Sequence, residues 1–324
     1  MLISLLALNV VAPDRALAPA PSSAPLTPVA RHGRLRTKGN RIVGEDGKPA
    51  SLAGASLFWS QWMPQFYNAG TVGWLKKDWH AGIVRVAVGI GPGGYLEHPE
   101  AETARATAVI DAAIREGLYV LIDWHDHEAD RHEREATAFF TAMAKRYGKQ
   151  PNVMYELWNE PKQVNWAGVV KPYHERMVAA IRKIDPDNLI VLGSPTWSQD
   201  VDVAAESPVR DANVAYTLHF YAGTHKQYLR DKGDRAMARG LALFVTEWGT
   251  TEASGDGLVD VASTNEWLAW MRTHGLSHCN WSIADKAEGS AILRPGANPQ
   301  GGWTEAELTE SGRFVRGVVR GWSE

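Results

Sequence analysis

The sequence predicts an α/β protein folded as one (β/α)8 TIM barrel, a single domain over residues 34–324. Three observations predict it. Eight apolar, β-prone runs alternate with helix-like stretches from about residue 34 onward. The 324 residues suit one barrel with its loops. Six of the eight runs carry polar or aromatic residues at or near their C-terminal ends, where a barrel gathers its active site.

Taken in order, the first run is ASLAGASL (50–57) and the second is GIVRVAV (82–88), which carries Arg85. A helix over 100–116 follows, stopped by Gly117. The third run, LYVLIDW (118–124), leads into His125, and a helix spans 134–147. The fourth, NVMYELW (152–158), ends in Asn159-Glu160-Pro161; proline cannot donate to a strand ladder, so it marks the end. A helix over 168–184 is closed by Asp185-Pro186-Asp187, and NLIVLG (188–193) is the fifth run. The sixth, NVAYTLH (213–219), ends at His219 with Tyr221 beyond; the seventh, LALFVTE (241–247), ends at Glu247. After a helix at 262–274, the eighth run, LSHCNWSI (276–283), holds Trp281. Strand–helix alternation implies right-handed parallel units. An open doubly wound sheet is the alternative, but it would spread six polar strand ends along a wide edge, whereas a barrel brings them to one face.

Composition excludes several classes of function. Hydrophobic residues make up 44% and charged residues 22%, with a net charge of −3, so neither nucleic acid nor an anionic membrane is an expected partner. A single cysteine, Cys279, excludes a disulfide framework or a multi-cysteine metal site. Fourteen tryptophans are many; Trp is a common flat platform for a sugar ring or base. The apolar start MLISLLALNVVA is too short to span a membrane. With Ala16-Leu17-Ala18 as an A-x-A cleavage pattern, residues 1–18 read as a possible secretory signal, although a basic leader is missing. Residues 19–33 read as a Pro/Ala-rich linker or tail.

The chemistry rests on carboxylates. Glu160 and Glu247 stand at two strand ends, the arrangement that glycosidic bond cleavage needs: one carboxyl to protonate the leaving oxygen, another as base or nucleophile. Each alone could be a surface glutamate. Glu156 shares parity with Glu160 but lies inside its strand, so it is expected to be buried and paired, with Arg85 as partner. GIGPGG (89–94) matches a dinucleotide fingerprint only formally; Pro92 interrupts it and the next helix opens near Pro99, so a substrate-facing loop is the better reading. WHDHEADRHERE (124–135) could ligate a metal, but its spacing fits no common hydrolase set. His125 is the plausible site residue, with His127 and His132 on a loop or helix surface. There is no G-x-S-x-G elbow.

Together the stretches QWMPQF (61–66), VRVAV (84–88), VLIDWH (120–125), PNVMYELWNEP (151–161), PTWSQDVD (195–202), YTLHFYAGTH (216–225), FVTEWGTTEASGDG (244–257) and NWSIADKAEGSAIL (280–293) resemble glycoside hydrolase family 5, most closely its bacterial endo-β-1,4-glucanases. The resemblance runs from about Leu35 to Trp322. It implies hydrolysis with retention, Glu160 as general acid/base and Glu247 as nucleophile. It also implies that Arg85 keeps the nucleophile ionised, that Asn159 and His125 hold the sugar at the cleavage point, and that His219 and Tyr221 orient Glu160 and Glu247. Trp281 would be the platform under that sugar, Lys286 and Glu288 would contact the non-reducing side, and Trp62 and Trp197 would be further subsite walls. The chain departs from the pattern at Phe58 and Trp59, where such enzymes often carry His-Gly, and at Gly89, where they often carry tyrosine. These changes bear on chain length and backbone preference.

The expectation is therefore a secreted or periplasmic, monomeric, retaining endo-β-1,4-glucanase acting on β-1,4-glucan with no cofactor or metal. The same mechanism on mannan, xylan or mixed-linkage glucan is the nearer alternative, and a non-catalytic carbohydrate-binding barrel the more distant one.

Overall fold

Parity along the strands decides this structure. The computed structural model describes residues 26–322, so the possible signal segment and residues 19–25 of the expected linker lie outside the described residues. In chain order, a helical turn α1 (Pro28–His32) and a hairpin of β1 (Arg36–Lys38) and β2 (Arg41–Val43) precede β3 (Ala53–Leu57), α2 (Ala69–Lys77) and β4 (Ile83–Gly89). Next come α3 (Pro99–Glu116), β5 (Tyr119–His125), α4 (Glu133–Tyr147), β6 (Val153–Glu156), α5 (Lys171–Arg182) and β7 (Ile190–Leu192). The chain continues with α6 (Pro195–Ser198), α7 (Val201–Glu206), β8 (Val214–Tyr221), α8 (Gln227–Ala238), β9 (Leu243–Gly249), α9 (Val261–His274), β10 (His278–Ile283) and α10 (Glu310–Arg320). Strands β3 to β10 pair in sequence and in parallel, and β10 closes back on β3. The expected barrel is what forms.

Alternate residues of each strand face the barrel axis, so the interior is layered from sequence. Leu121, Met154, Val191, Ala215, Phe244 and Cys279 make an apolar bottom layer with Leu35 and Ile42 beneath. Two residues further along the strands the interior turns polar, with Arg85, Asp123, Glu156 and Thr217 all fully buried. The opposite parity feeds the larger core between strands and helices, including Val86, Ile122, Tyr155 and Phe220. Gly54 sits where β3 and β4 run closest: a Cβ there would collide with the Ile83 carbonyl.

Three details differ from the sequence reading. The end of the expected linker is ordered: α1 is capped by Thr27 and docks beneath the barrel, with the Val29 amide donating to the Gly117 carbonyl (3.2 Å). The fourth strand stops at Glu156 instead of residue 158, and beyond it the Asn159 and Glu160 amides donate to the Trp124 and Asp126 carbonyls (3.1 and 3.3 Å). The register between β8 and β9 shifts between Thr217 and His219. That bulge turns two consecutive residues, Thr246 and Glu247, toward the axis. Among the described residues, no helix is long and apolar enough to cross a membrane.

Candidate active site

Arg85 is the hub of the polar layer. It is fully buried, an arrangement that requires partners for every donor. Its Nε donates to Glu156 (2.7 Å), one terminal nitrogen to Glu247 (3.0 Å), and the other to Asn159 Oδ1 (2.6 Å) and toward Asp123 (3.0 Å). One guanidinium thus meets three carboxyls. Burial, reinforced by the charges of Glu156 and Glu247, raises the Asp123 carboxyl well above its usual range in spite of Arg85. Glu156 is also buried, but Arg85 and His219 bring it below its usual range. The pairing of Glu156 with Arg85 follows the expectation from strand parity.

Above this layer the Glu160 and Glu247 carboxylates face each other. One oxygen of each, with a ring nitrogen of His219, lies within 4.8 Å of the others. The Tyr221 hydroxyl donates to Glu247 Oε1 (2.8 Å). Burial, and then the charge on Glu160, raises the Glu247 carboxyl, while His219, Arg85 and Tyr221 pull it down. Glu160 is flanked by two imidazoles: His219 Nδ1 is 2.9 Å from Oε1 and His127 Nε2 is 3.3 Å from Oε2. Burial opposes ionisation of Glu160, but these two hydrogen bonds win and bring it down to about 2. Burial likewise opposes charge on His219, yet its bonds to Glu156 and Glu160 raise it to about 9. Glu160 is thus pulled below and Glu247 pushed above the ordinary carboxylate range, directions opposite to the roles expected from the sequence.

His127 corrects the sequence reading. It is not a bystander on the loop after β5 but a direct partner of Glu160, and His132 pairs instead with Asp126 (2.7 Å). The signal was present: Asp123, His125 and His127 share parity along β5 and its extension. His125 Nδ1 lies 2.6 Å from Asp123 Oδ2; burial, then Arg85 and the neighbouring imidazoles, push it well below its ordinary range, so it is neutral.

The open space around these groups is a cleft. Toward one end a cavity of about 480 Å3 is lined by Glu160, His219, Tyr221, His225, Gln199 and Trp197. His225 and Gln199 were not singled out from the sequence. Toward the other end, about 270 Å3 is lined by Glu247, His125, Trp281, Phe58, Trp59 and Glu288. Trp281 stacks parallel to His125 at 4.9 Å, and its peptide to Ser282 is cis. Lys286 pairs with Glu288 and lies 4.8 Å from the centre of the Phe58 ring. Trp62 lines a side chamber of about 460 Å3 with Trp59 and His127, off the Glu160–Glu247 axis. Aromatic faces at both ends and a carboxyl pair between them can bind a chain of sugar rings and cut it.

A family model described as cellulase, glycosyl hydrolase family 5, matches residues 43–287, most of the chain. The chain belongs to glycosyl hydrolase family 5. Relatives in the family include Endoglucanase Z of Dickeya dadantii, 47% identical over 89% of this chain and 66% of that protein. An endoglucanase of Clostridium saccharobutylicum is 42% identical over 89% of this chain and 65% of its own length. The chain thus spans just under two thirds of these curated relatives. Among solved structures, one from Cytophaga hutchinsonii aligns with a TM-score of 0.90 at 47% identity, covering 91% of this chain and 97% of that one. The catalytic domain of Thermobifida fusca endoglucanase aligns at 0.87 and 32% identity, covering 91% and 99%; a variant of it was solved with cellotetraose. The family 5 barrel therefore extends over nearly all of the described residues.

Proposed function

We propose that this chain is a retaining endo-β-1,4-glucanase. The observation that carries the reading is the facing pair of carboxylates, with oxygens within 4.8 Å, at the centre of an open cleft. Retaining glycosidases keep their two carboxyls about 5–5.5 Å apart, so that one can attack the sugar directly; an inverting pair leaves room for water between them. Glu247 attacks the anomeric carbon while Glu160 gives its proton to the leaving oxygen, and a glycosyl ester forms on Glu247. Glu160 then takes a proton from water, which attacks the ester and restores both groups. Arg85 and the Tyr221 hydroxyl stabilise the Glu247 carboxylate in the attacking state. Asn159, bonded to Arg85, holds the sugar 2-hydroxyl in this reading, and His125, stacked with Trp281, holds the same ring. Trp281 is the platform beneath it, with Lys286 and Glu288 beyond on the non-reducing side, and Trp197 receives the departing part of the chain. Trp62 forms the wall of the adjoining chamber.

The substrate class is supported by the relatives named endoglucanase and by the neighbour solved with cellotetraose. A polymeric substrate cannot enter a cell, so action outside the cytoplasm agrees with the A-x-A pattern at residues 16–18. The test has two parts. Sugar release is measured on carboxymethylcellulose, mannan and xylan, with preference for the first expected. Glu247→Gln is expected to lower kcat by at least about a thousandfold while still binding cello-oligosaccharides by calorimetry. Retained turnover in that variant, or first products with inverted configuration by proton NMR, sinks the reading.

A further inference from the structure

Both oxygens of the Glu160 carboxyl are engaged by imidazoles, and the geometry says which contact must open for proton delivery. Glu160 Oε1 is taken by His219, a buried ring whose other nitrogen lies 2.9 Å from Thr246 Oγ1. His219 is thereby fixed. The leaving oxygen must then reach Glu160 through Oε2, and that oxygen is where His127 sits. His127 is partly exposed, on a loop rather than a strand. It is also the one described residue that lines all three spaces at the site: both arms of the cleft and the side chamber. A sugar crossing from one arm to the other passes over it.

The geometry points to His127 as a positioning residue that covers the Glu160 oxygen needed for proton delivery until substrate displaces it. This rests on the reading of Glu160 as the acid/base. While His127 holds Oε2, Glu160 is ionised and its charge raises Glu247. When the sugar moves the imidazole away, Glu160 loses a donor and gains affinity for a proton. Glu160 then takes a proton from solvent. That removes the negative charge opposite Glu247, which Arg85 and Tyr221 hold as the carboxylate nucleophile. Substrate binding thus arms the pair, and an empty cleft keeps it unreactive.

His127 is faced by Glu160 and, farther off, Glu247 across the cleft, and by Lys162 from the turn after β6. Glu97, on the loop after β4, shares the side chamber with it. On its own loop Asp126 is engaged by His132, and Glu128 by Arg131 and Lys162. Among the described residues Glu160 is the one acid paired with the ring, so removing the imidazole acts chiefly on Glu160.

The experiment is a pair of pH profiles on cello-oligosaccharide, kcat/KM for the free enzyme and kcat for the complex. In His127→Gln the alkaline limb of kcat/KM is expected to rise by about one pH unit, because a cation beside a carboxylate lowers its pKa by about that much or more. The limb of kcat is expected to stay, since in the complex the contact is already broken. His127→Lys, which restores a cationic donor, is expected to return the kcat/KM limb toward wild type. An unmoved kcat/KM limb in the glutamine variant overturns the proposal. So does an equal shift in both limbs, or a lysine variant that shifts like the glutamine one, which would assign the effect to packing on Trp59. Glu160→Gln, compared by kcat/KM, which reports the glycosylation step alone, on an aryl cellobioside whose leaving group needs no proton and on cello-oligosaccharide, separates the two readings. Loss of kcat/KM confined to the second substrate upholds the acid role and leaves the His127 result to stand or fall alone; equal loss of kcat/KM on both removes the acid role itself.

Discussion

At the scale of single residues, the glutamate that ends β6 and the one just beyond it show how position decides role. Glu156 and Glu160 are four residues apart. Glu156 ends up fully buried with its Oε2 on Arg85 and its Oε1 accepting from the Thr246 hydroxyl (2.6 Å). It has no path to substrate. Arg85 keeps Asp123 and Glu247 when the Glu156 charge is removed, so what is lost is a charged acceptor for Arg85 Nε and the Thr246 hydroxyl, and a hydrogen bond to a charged group is worth about 1.5–3 kcal/mol. Glu156→Gln keeps the volume but not the charge, so it is expected to lower the free energy of unfolding by that order. At a temperature where the variant is folded, kcat is expected to fall far less than in Glu247→Gln. Wild-type stability with lost turnover would make Glu156 a functional group and overturn its structural role. The residue scale is also where sequence reading reached furthest: parity alone put Arg85 with Glu156 and set both at a different depth from Glu160. It fell short at Thr246 and Glu247, because the bulge that turns both inward is a property of two strands in register, not of either sequence.

At the scale of elements, the segment joining β7 to α7 is the most constrained. Thr196, Trp197 and Ser198 all have positive φ, at 58°, 54° and 56°. Non-glycine residues in that region cost about 1–3 kcal/mol each and persist only where neighbours over-determine them. Here the neighbours are the turn that carries Glu160. The Thr196 amide donates to the Lys162 carbonyl (2.9 Å), the Trp197 amide to Pro161 (2.8 Å), and the Ser198 hydroxyl to Asn159 (2.7 Å). The strained turn therefore fixes the Trp197 ring at a set distance from Glu160, with the ring still 38% exposed to the cleft. A platform that binds ground and transition states alike changes KM and not kcat. Trp197→Ala is accordingly expected to raise KM on long cello-oligosaccharides by up to about tenfold, the worth of one aromatic stack, with kcat little altered. An unchanged KM would remove Trp197 from the binding surface. Of the elements themselves, all eight barrel strands and four long helices were legible from apolar spacing. The helices α2 and α8 were not, because glycines dilute their pattern. Gly233 in α8 is there for packing: a Cβ would strike the Trp270 ring of α9.

At the scale of the whole molecule, the barrel divides its labour between its ends. Every group assigned to chemistry sits at the C-terminal ends of the strands, while the N-terminal ends are closed by the segment before β3. Leu35 and Ile42 complete the apolar bottom layer, and Val29 packs against it from α1. The Tyr119 hydroxyl donates to the Gly33 carbonyl (2.5 Å), and the Glu45 amide to that of His32 (2.8 Å). Conserving the fold and performing the reaction are then separable. A chain beginning at Arg34 loses α1 and its cover over Gly117 but no residue of the cleft. Burying one side chain of the size of Val29 is worth about 2 kcal/mol, and in a domain of this size each kcal/mol moves Tm by about 2–4 °C. Deletion of residues 1–33 is therefore expected to lower Tm by several degrees while kcat and KM on cello-oligosaccharide, measured below the transition, stay within twofold of the full chain. An unchanged Tm would return α1 to the status of a tail. A changed kcat would mean that strain at the bottom of the barrel reaches the carboxylates through the Arg85 layer.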